Sequence, residues 1–352
     1  MTMSNMRRGK NLPSNWDDDM SDEDYLQELA GRLSEDDQYV KDVLERAKSV
    51  YVECGRDRVA TNDFGEFVTD MMAKKGNRRD DGRLFIVTGE SGAGKTTISQ
   101  RIIAQHPVFK PLHRTFGTIY PSVFYSLMGP ATLKFLGIAI LEAIGYEITR
   151  NLEQGEVWHI LPSQLHLRKV LLIHLDETQH LLNLTQTDHD REKLRKALKG
   201  VMNYQAWPVS FVMSGMPEIT KIAQLDEQFE RRHMPLPLPD VDPSHPEERD
   251  LVIRITKEMC EAAHIDPTQA IQSDIPERIA HAARYRYGRI TQVVLAGIQQ
   301  AARKRSTALT RNFLARAYAA HSHARGRPEM NIFLADDFMR LDPGLFLQVK
   351  ED

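Results

Sequence analysis

Apolar positions in the first part of the chain recur at helical spacing: Tyr25-Leu26, Leu29 and Leu33, then Tyr39-Val40, Val43-Leu44 and Val50-Tyr51. A stripe of this period predicts helix over residues 22–78. The pattern then changes. Leu84-Phe85-Ile86-Val87 is a short, continuous apolar run preceded by the turn-rich residues 76–82, which predicts a buried strand. Similar runs at 116–119, 170–175 and 208–214 predict further strands separated by helical sequence, as a parallel sheet with crossover helices requires. Pro235, Pro237, Pro239 and Pro243 predict a boundary, after which residues 247–326 return to Ala-rich helical periodicity. The expected organisation is α/β. It has a polar tail at 1–21, an N-terminal helical region at 22–80, a parallel-sheet core at 81–242, a small helical lid at 243–330 and a C-terminal tail at 331–352.

Composition narrows the function classes. No apolar run reaches the roughly 18 residues needed to cross a bilayer, and Arg7-Arg8 has no apolar stretch behind it, so a secretory signal is not expected. Cys54 and Cys260 stand far apart without metal-ligand spacing. A reduced, cytoplasmic protein without a membrane partner is expected. The net charge of −3 conceals segregation. Residues 17–28 are heavily acidic, whereas 278–327 contain eleven Lys and Arg and no Asp or Glu. That basic stretch is a candidate surface for phosphate, or for an acidic neighbour such as the N-terminus.

Gly89-Glu90-Ser91-Gly92-Ala93-Gly94-Lys95-Thr96 matches G-x-x-x-x-G-K-[ST] in full, followed by Thr97, between a strand and a helix. Glycines let the backbone curl so that N–H groups face phosphate oxygens, and the helix N-terminus adds partial positive charge there. Lys95 is placed to reach the β- and γ-phosphates of ATP and Thr96 to ligate Mg²⁺. The apolar run Val170-Leu171-Leu172-Ile173-His174-Leu175 ends in Asp176-Glu177, the Walker B pattern. Asp176 is the second candidate Mg²⁺ ligand and Glu177 the candidate for activating water.

An acidic pair at this point is similar to the AAA+ and RecA-like groups, and the order of later motifs favours AAA+. Ser214 ends a strand where AAA+ proteins place a polar sensor near the γ-phosphate. Arg231 and Arg232 precede the proline cluster, where these proteins carry an arginine finger for the neighbouring subunit. Arg289, after Gly288, resembles a second sensor on the lid.

Over about residues 40–325 the chain resembles the TniB/TnsC family of AAA+ ATPases that regulate DNA transposition, relatives of MuB. The likeness rests on several segments besides the P-loop and Tyr120-Pro121. They are Pro130-Ala131-Thr132-Leu133-Lys134, Asp176-Glu177-Thr178-Gln179-His180-Leu181, Trp207-Pro208-Val209 and Ser214-Gly215-Met216-Pro217-Glu218. The family's Gly-Thr-Pro-Glu is here Gly215-Met216-Pro217-Glu218, which leaves Ser214 as the sensor position. The resemblance implies a homo-oligomer, ring or helical filament, that assembles with ATP on double-stranded DNA. It further implies that the oligomer marks the target for a transposase, meets a TniQ-like target-selection protein, and disassembles on hydrolysis. An added helix between the two nucleotide motifs faces the DNA channel in initiator-like AAA+ proteins, which makes Lys134 the candidate DNA contact. A helicase loader and a nucleotide-switch signalling NTPase are the competing readings.

Overall fold

The computed structural model describes residues 21–343, apart from residue 323. Ser21 starts α1 (Asp22–Ala30) and Ser34 starts α2 (Glu35–Lys48), their hydroxyls accepting from the N–H of Asp24 at 3.1 Å and Asp37 at 3.2 Å. The third helix, α3 (Gly55–Met72), runs into a hairpin of β1 (Lys74–Lys75) and β2 (Arg78–Arg79). Residues 74–78 therefore leave the helical region expected over 22–78. Gly76, at φ 67, takes the left-handed conformation that reverses the chain.

The remaining elements alternate. They are β3 (Leu84–Thr88), α4 (Lys95–Gln105), the hairpin strands β4 (Leu112–Arg114) and β5 (Gly117–Ile119), β6 (Ser122–Ser126), α5 (Leu133–Ala143), α6 (Gln154–Leu167) and β7 (Leu172–Asp176). Then come α7 (Asp188–Met202), β8 (Ser210–Gly215), α8 (Glu227–Glu230) and β9 (His233–Pro237). Four helices close the fold: α9 (Pro246–Ala262), α10 (Ile275–Ala282), α11 (Tyr287–Arg303) and α12 (Arg311–His321).

The central sheet has the order β6-β7-β8-β3-β9, and every pair in it is parallel. Its three middle strands are buried along their whole length, which is why they read as unbroken apolar runs. The two edge strands do not read that way. Residues 116–119 were expected in this sheet but belong to the separate β4–β5 hairpin, and the true edge strand is the half-exposed Ser122–Ser126. The proline cluster was expected to be a boundary, yet Pro235 and Pro237 lie within β9. An edge strand tolerates proline because a missing N–H on its open side breaks no ladder bond.

Apolar side chains gather in three clusters. One face of the sheet packs Ile173, Leu175, Phe211 and Met213 against Leu136, Leu161, Leu194 and Leu198 from α5, α6 and α7. The other packs Phe85, Val87 and Leu236 against α3 and α4, with the rings of Phe64 and Phe85 5.5 Å apart edge to face. The third cluster joins α2, through Val40, Val43 and Ala47, to Leu251, Ile255, Val294 and Ile298 of the lid helices. The N-terminal helices are thus divided: α3 covers the sheet and α2 joins the lid.

Gly82 tests the packing at the mouth of β3. A Cβ there would lie 2.1 Å from the Val209 carbonyl oxygen. Gly82→Ala is expected to lower stability by about 1–3 kcal/mol in chemical denaturation. Gly65→Ala, inside α3 with open space around it, is expected to raise stability by about 0.5–1 kcal/mol.

Candidate active site

The loop between β3 and α4 curls around a concave backbone. Gly92 and Gly94 have φ 87 and 92, values that only glycine adopts without strain. Lys95 is buried, and its Nζ donates to the Glu90 carbonyl at 3.1 Å. Burial lowers the Lys95 pKa, opposed by the carboxylates of Glu177, Asp176 and Glu90.

Parallel pairing carries the ends of β7 and β8 to the same edge of the sheet as this loop. Asp176 is buried and receives two hydroxyls: Thr96 Oγ1 donates to its Oδ2 at 2.7 Å, and Ser214 Oγ donates to its Oδ1 at 2.5 Å. Ser214 also lies 3.0 Å from Nε2 of His174. Because the Ser214 proton is given to Asp176, His174 must carry its own proton on Nε2 and donate to the serine. Burial pushes the His174 pKa down to about 4, so its ring is neutral at pH 7. Ser214 is fully buried and bonded on both sides, which makes it a support for Asp176 rather than a free group beside the loop. Glu177, at φ 55, turns away from the strand, and Gln179 Nε2 donates to its carboxylate.

The lid closes over the loop. The Gly288 N–H donates to the Gly92 carbonyl at 2.8 Å. The Arg289 side chain lies on Gly92, where a Cβ would meet its Cγ at 2.7 Å. Arg286, which the sequence did not single out, donates to the Ser91 carbonyl at 3.1 Å and pairs with Glu90 at 3.3 Å. Tyr287 donates to the Val52 carbonyl at 2.5 Å and so ties the lid to the segment before α3. Between that segment, the loop and α11 lies a cavity of about 310 Å³, lined among others by Tyr51, Arg56, Asp57, Thr97, Tyr287 and Leu295. Arg56 places a buried, unpartnered Nη2 beside it. Thr97 apart, no local motif marks these residues, which come from two regions on opposite sides of the core in sequence.

Other expected site residues lie elsewhere. Arg231 and Arg232 precede β9, whose register pairs His233 with Leu84 and Pro237 with Thr88. Both arginines are therefore at the sheet edge opposite the loop. Arg231 is exposed and pairs with Glu227, whereas Arg232 is held by Asp81 at 3.0 Å and Asn203 at 3.2 Å. Lys134 is on α5, its Nζ donating to Asn151 at 3.0 Å, beside the half-exposed Phe135. Within the acid-free stretch, five arginines make contacts inside the molecule. Arg278 is bound to the carbonyls of Ile332 and Ala335, Arg284 to that of Pro343, Arg286 to the P-loop, Arg305 to Asp36 and Arg311 to the carbonyl of Phe333. Leu341 and Pro343, in the expected C-terminal tail, meet the lid through their carbonyls, which accept from His281 and Arg284; residues 344–352, like residues 1–20, lie outside the described chain.

A family model described as Bacterial TniB protein matches residues 66–243. The chain belongs to that family. No curated protein matches the sequence. The structure of the Aeropyrum pernix ORC1 protein in complex with DNA aligns with a TM-score of 0.55 at 18% identity, covering 78% of this chain and 67% of that one. CDC6P from Pyrobaculum aerophilum aligns with a TM-score of 0.53 at 11% identity, covering 76% and 68%. These likenesses show the fold; together with the TniB match they mark it as that of an AAA+ P-loop NTPase. This TniB-family chain is an ATPase that converts ATP to ADP and phosphate. No helix among the described residues is long and apolar enough to cross a membrane.

Lys95 supplies the only side-chain cation within the loop itself. Lys95→Ala is expected to abolish measurable ATP binding in equilibrium titration, and near-normal affinity would overturn the placement of the nucleotide.

Proposed function

We propose that this protein is an ATP-dependent regulator of DNA transposition that assembles on duplex DNA, marks the target for a transposase and disassembles when ATP is hydrolysed. The observation that carries this reading is the TniB match over residues 66–243, a span holding the P-loop, Asp176-Glu177 and Arg231. A TniQ-like protein is the expected partner in target selection.

In this reading the phosphates lie in the Gly92–Gly94 curl, and the base and ribose enter the cavity beside Tyr51 and Tyr287. Thr96 and Asp176 present hard oxygens 2.7 Å apart, a donor set that suits Mg²⁺ and would hold it beside the loop. Among the described residues no cluster of three or more His, Cys, Asp or Glu side chains competes for it. Mg²⁺, when bound, supplies charge neutralisation at the phosphate oxygens. Lys95 holds the β- and γ-phosphates, Glu177 polarises the attacking water, and Ser214 keeps Asp176 oriented. Arg289 and Arg286 connect the state of the loop to the lid.

Arg231 and Arg232 lie at the end of β9 remote from their own subunit's loop, so in this reading a finger from this segment serves a neighbouring subunit. Arg231 suits that role because it is exposed and only Glu227 holds it, whereas Arg232 is clamped to Asp81 and Asn203. Arg231→Ala is expected to bind ATP and hydrolyse it at least ~10³-fold more slowly. Mixing these subunits with Lys95→Ala subunits, which have intact fingers but empty sites, is expected to restore measurable turnover. Co-assembly without restored turnover would place the finger elsewhere.

The DNA part of the reading is supported by Lys134, whose hydrogen-bond partner is a neutral asparagine, and by the DNA-bound ORC1 structure that shares the fold. A second basic surface lies on the lid, where the side chains of Arg303, Lys304, Arg316, Arg325 and Arg327 are exposed and make no hydrogen bond or ion pair among the described residues. Duplex affinity is expected to require ATP and to fall by about 0.9 log units per log unit of salt for each phosphate contact. Lys134→Ala is expected to reduce that slope by about one contact. Binding confined to single strands would favour the helicase-loader reading.

A further inference from the structure

The side-chain amide of Gln179 bridges two parts of the site that the P-loop does not hold. Its Nε2 donates to the Glu177 carboxylate, and its Oε1 accepts the Met216 N–H at 3.2 Å. Chemistry fixes the orientation of this amide. A backbone N–H can only donate, so it faces the amide oxygen, which leaves the NH₂ for the carboxylate. The reversed amide would set donor against donor and acceptor against acceptor.

The surroundings are shaped to this bridge. A Cβ on Gly215 would lie 2.6 Å from Gln179 Oε1 and 3.1 Å from Thr178 Oγ1, so the glycine gives both side chains their space. Thr178 Oγ1 donates to the Ser214 carbonyl at 2.8 Å. Two consecutive side chains after β7 are therefore fastened to the end of β8. Glu177 needs this support more than Asp176 does. Asp176 is buried and held by two hydroxyls, whereas Glu177 is longer, half-buried and carried by a residue outside the strand. An untethered glutamate would spread over several rotamers.

We propose that Gln179 is a positioning residue for ATP hydrolysis, its amide holding the Glu177 carboxylate in place and coupling it to the end of β8. The inference rests on Glu177 as the group that activates water. A carboxylate displaced by about 1 Å from its working position can lose on the order of 10²-fold in rate without any loss of substrate binding.

The test compares single-turnover hydrolysis and ATP affinity in Gln179→Leu, Gln179→Glu, Glu177→Gln and the double variant Glu177→Gln/Gln179→Leu, each in the full chain with duplex DNA. Gln179→Leu is expected to lower kcat by ~10- to 10²-fold with KM for ATP unchanged within about threefold. Gln179→Glu keeps the shape and the acceptor for Met216 but loses the donor to Glu177, and the same loss is expected. If fastening β8 were the whole role, Gln179→Glu would turn over like wild type, and that result overturns the proposal. The double variant is expected to be no slower than Glu177→Gln alone, because the two residues act as one unit. Multiplying losses, or a kcat that rises in Gln179→Leu, would also overturn it. Should Gln179→Leu fail to fold, Gln179→Glu carries the test. Wild-type hydrolysis by Glu177→Gln would sink the reading of Glu177 itself, whereas a slow Glu177→Gln beside a wild-type-like Gln179→Glu sinks only the role of Gln179.

Discussion

A carboxylate taken out of water must be compensated where it stands, and Asp176 is the place where this chain meets that demand. Leaving such a group buried without partners would cost several kcal/mol. The two hydroxyls that satisfy it come from different elements, Thr96 from the first turn of α4 and Ser214 from the end of β8. The neutral His174 completes the arrangement by donating to Ser214, so the serine has no other orientation open to its proton. One charge thereby brings the P-loop helix and two neighbouring strands into a single register. Parallel pairing makes this possible, because it delivers the C-terminal ends of β3, β7 and β8 to one edge.

The lid arrives at the same edge by a different route. It carries cations, and it meets a loop rich in backbone carbonyls: Gly288 and Arg286 both bond to carbonyl oxygens of the P-loop, and Arg289 lies along Gly92. Burial and the neighbouring Arg284 and Arg286 lower the Arg289 pKa, the mark of positive charges gathered around one small region. An anion held there would relieve that crowding. The α2 helix, packed into the lid core, and the Tyr287 bond to Val52 extend the assembly to the N-terminal segment. The lid is therefore tied to the chain both at the P-loop and before α3.

The position of the P-loop between a strand and a helix, and of Asp176-Glu177 at the end of a neighbouring strand, was legible in the sequence because each depends on residues adjacent in the chain and on the strand before them. The three central strands were legible for a related reason: burial on both faces leaves an unbroken apolar run. The edge strands were not. Ser122–Ser126 is half-exposed and alternates too weakly, and His233–Pro237 carries prolines that forbid a central position but not an edge. The eleven cations of 278–327 were open to phosphate or to an acidic neighbour, yet Arg278, Arg284 and Arg311 turn to backbone carbonyls and Arg305 pairs with Asp36 at the surface.

What the sequence determined by itself was therefore the fold class, the nucleotide loop and the acidic pair, each encoded over a few consecutive positions. Only the tertiary structure decided that Arg232 is clamped while Arg231 stays exposed, and that Ser214 supports Asp176. It alone also set Gln179 against both Glu177 and Met216, and formed a cavity from Tyr51 and Tyr287. The physical reason is that a polar group's role depends on which partners remain for it once the apolar clusters have fixed the backbone. The deciding partners are distant in the chain: Asp81 and Asn203 for Arg232, Asp176 and His174 for Ser214, and Met216 for Gln179.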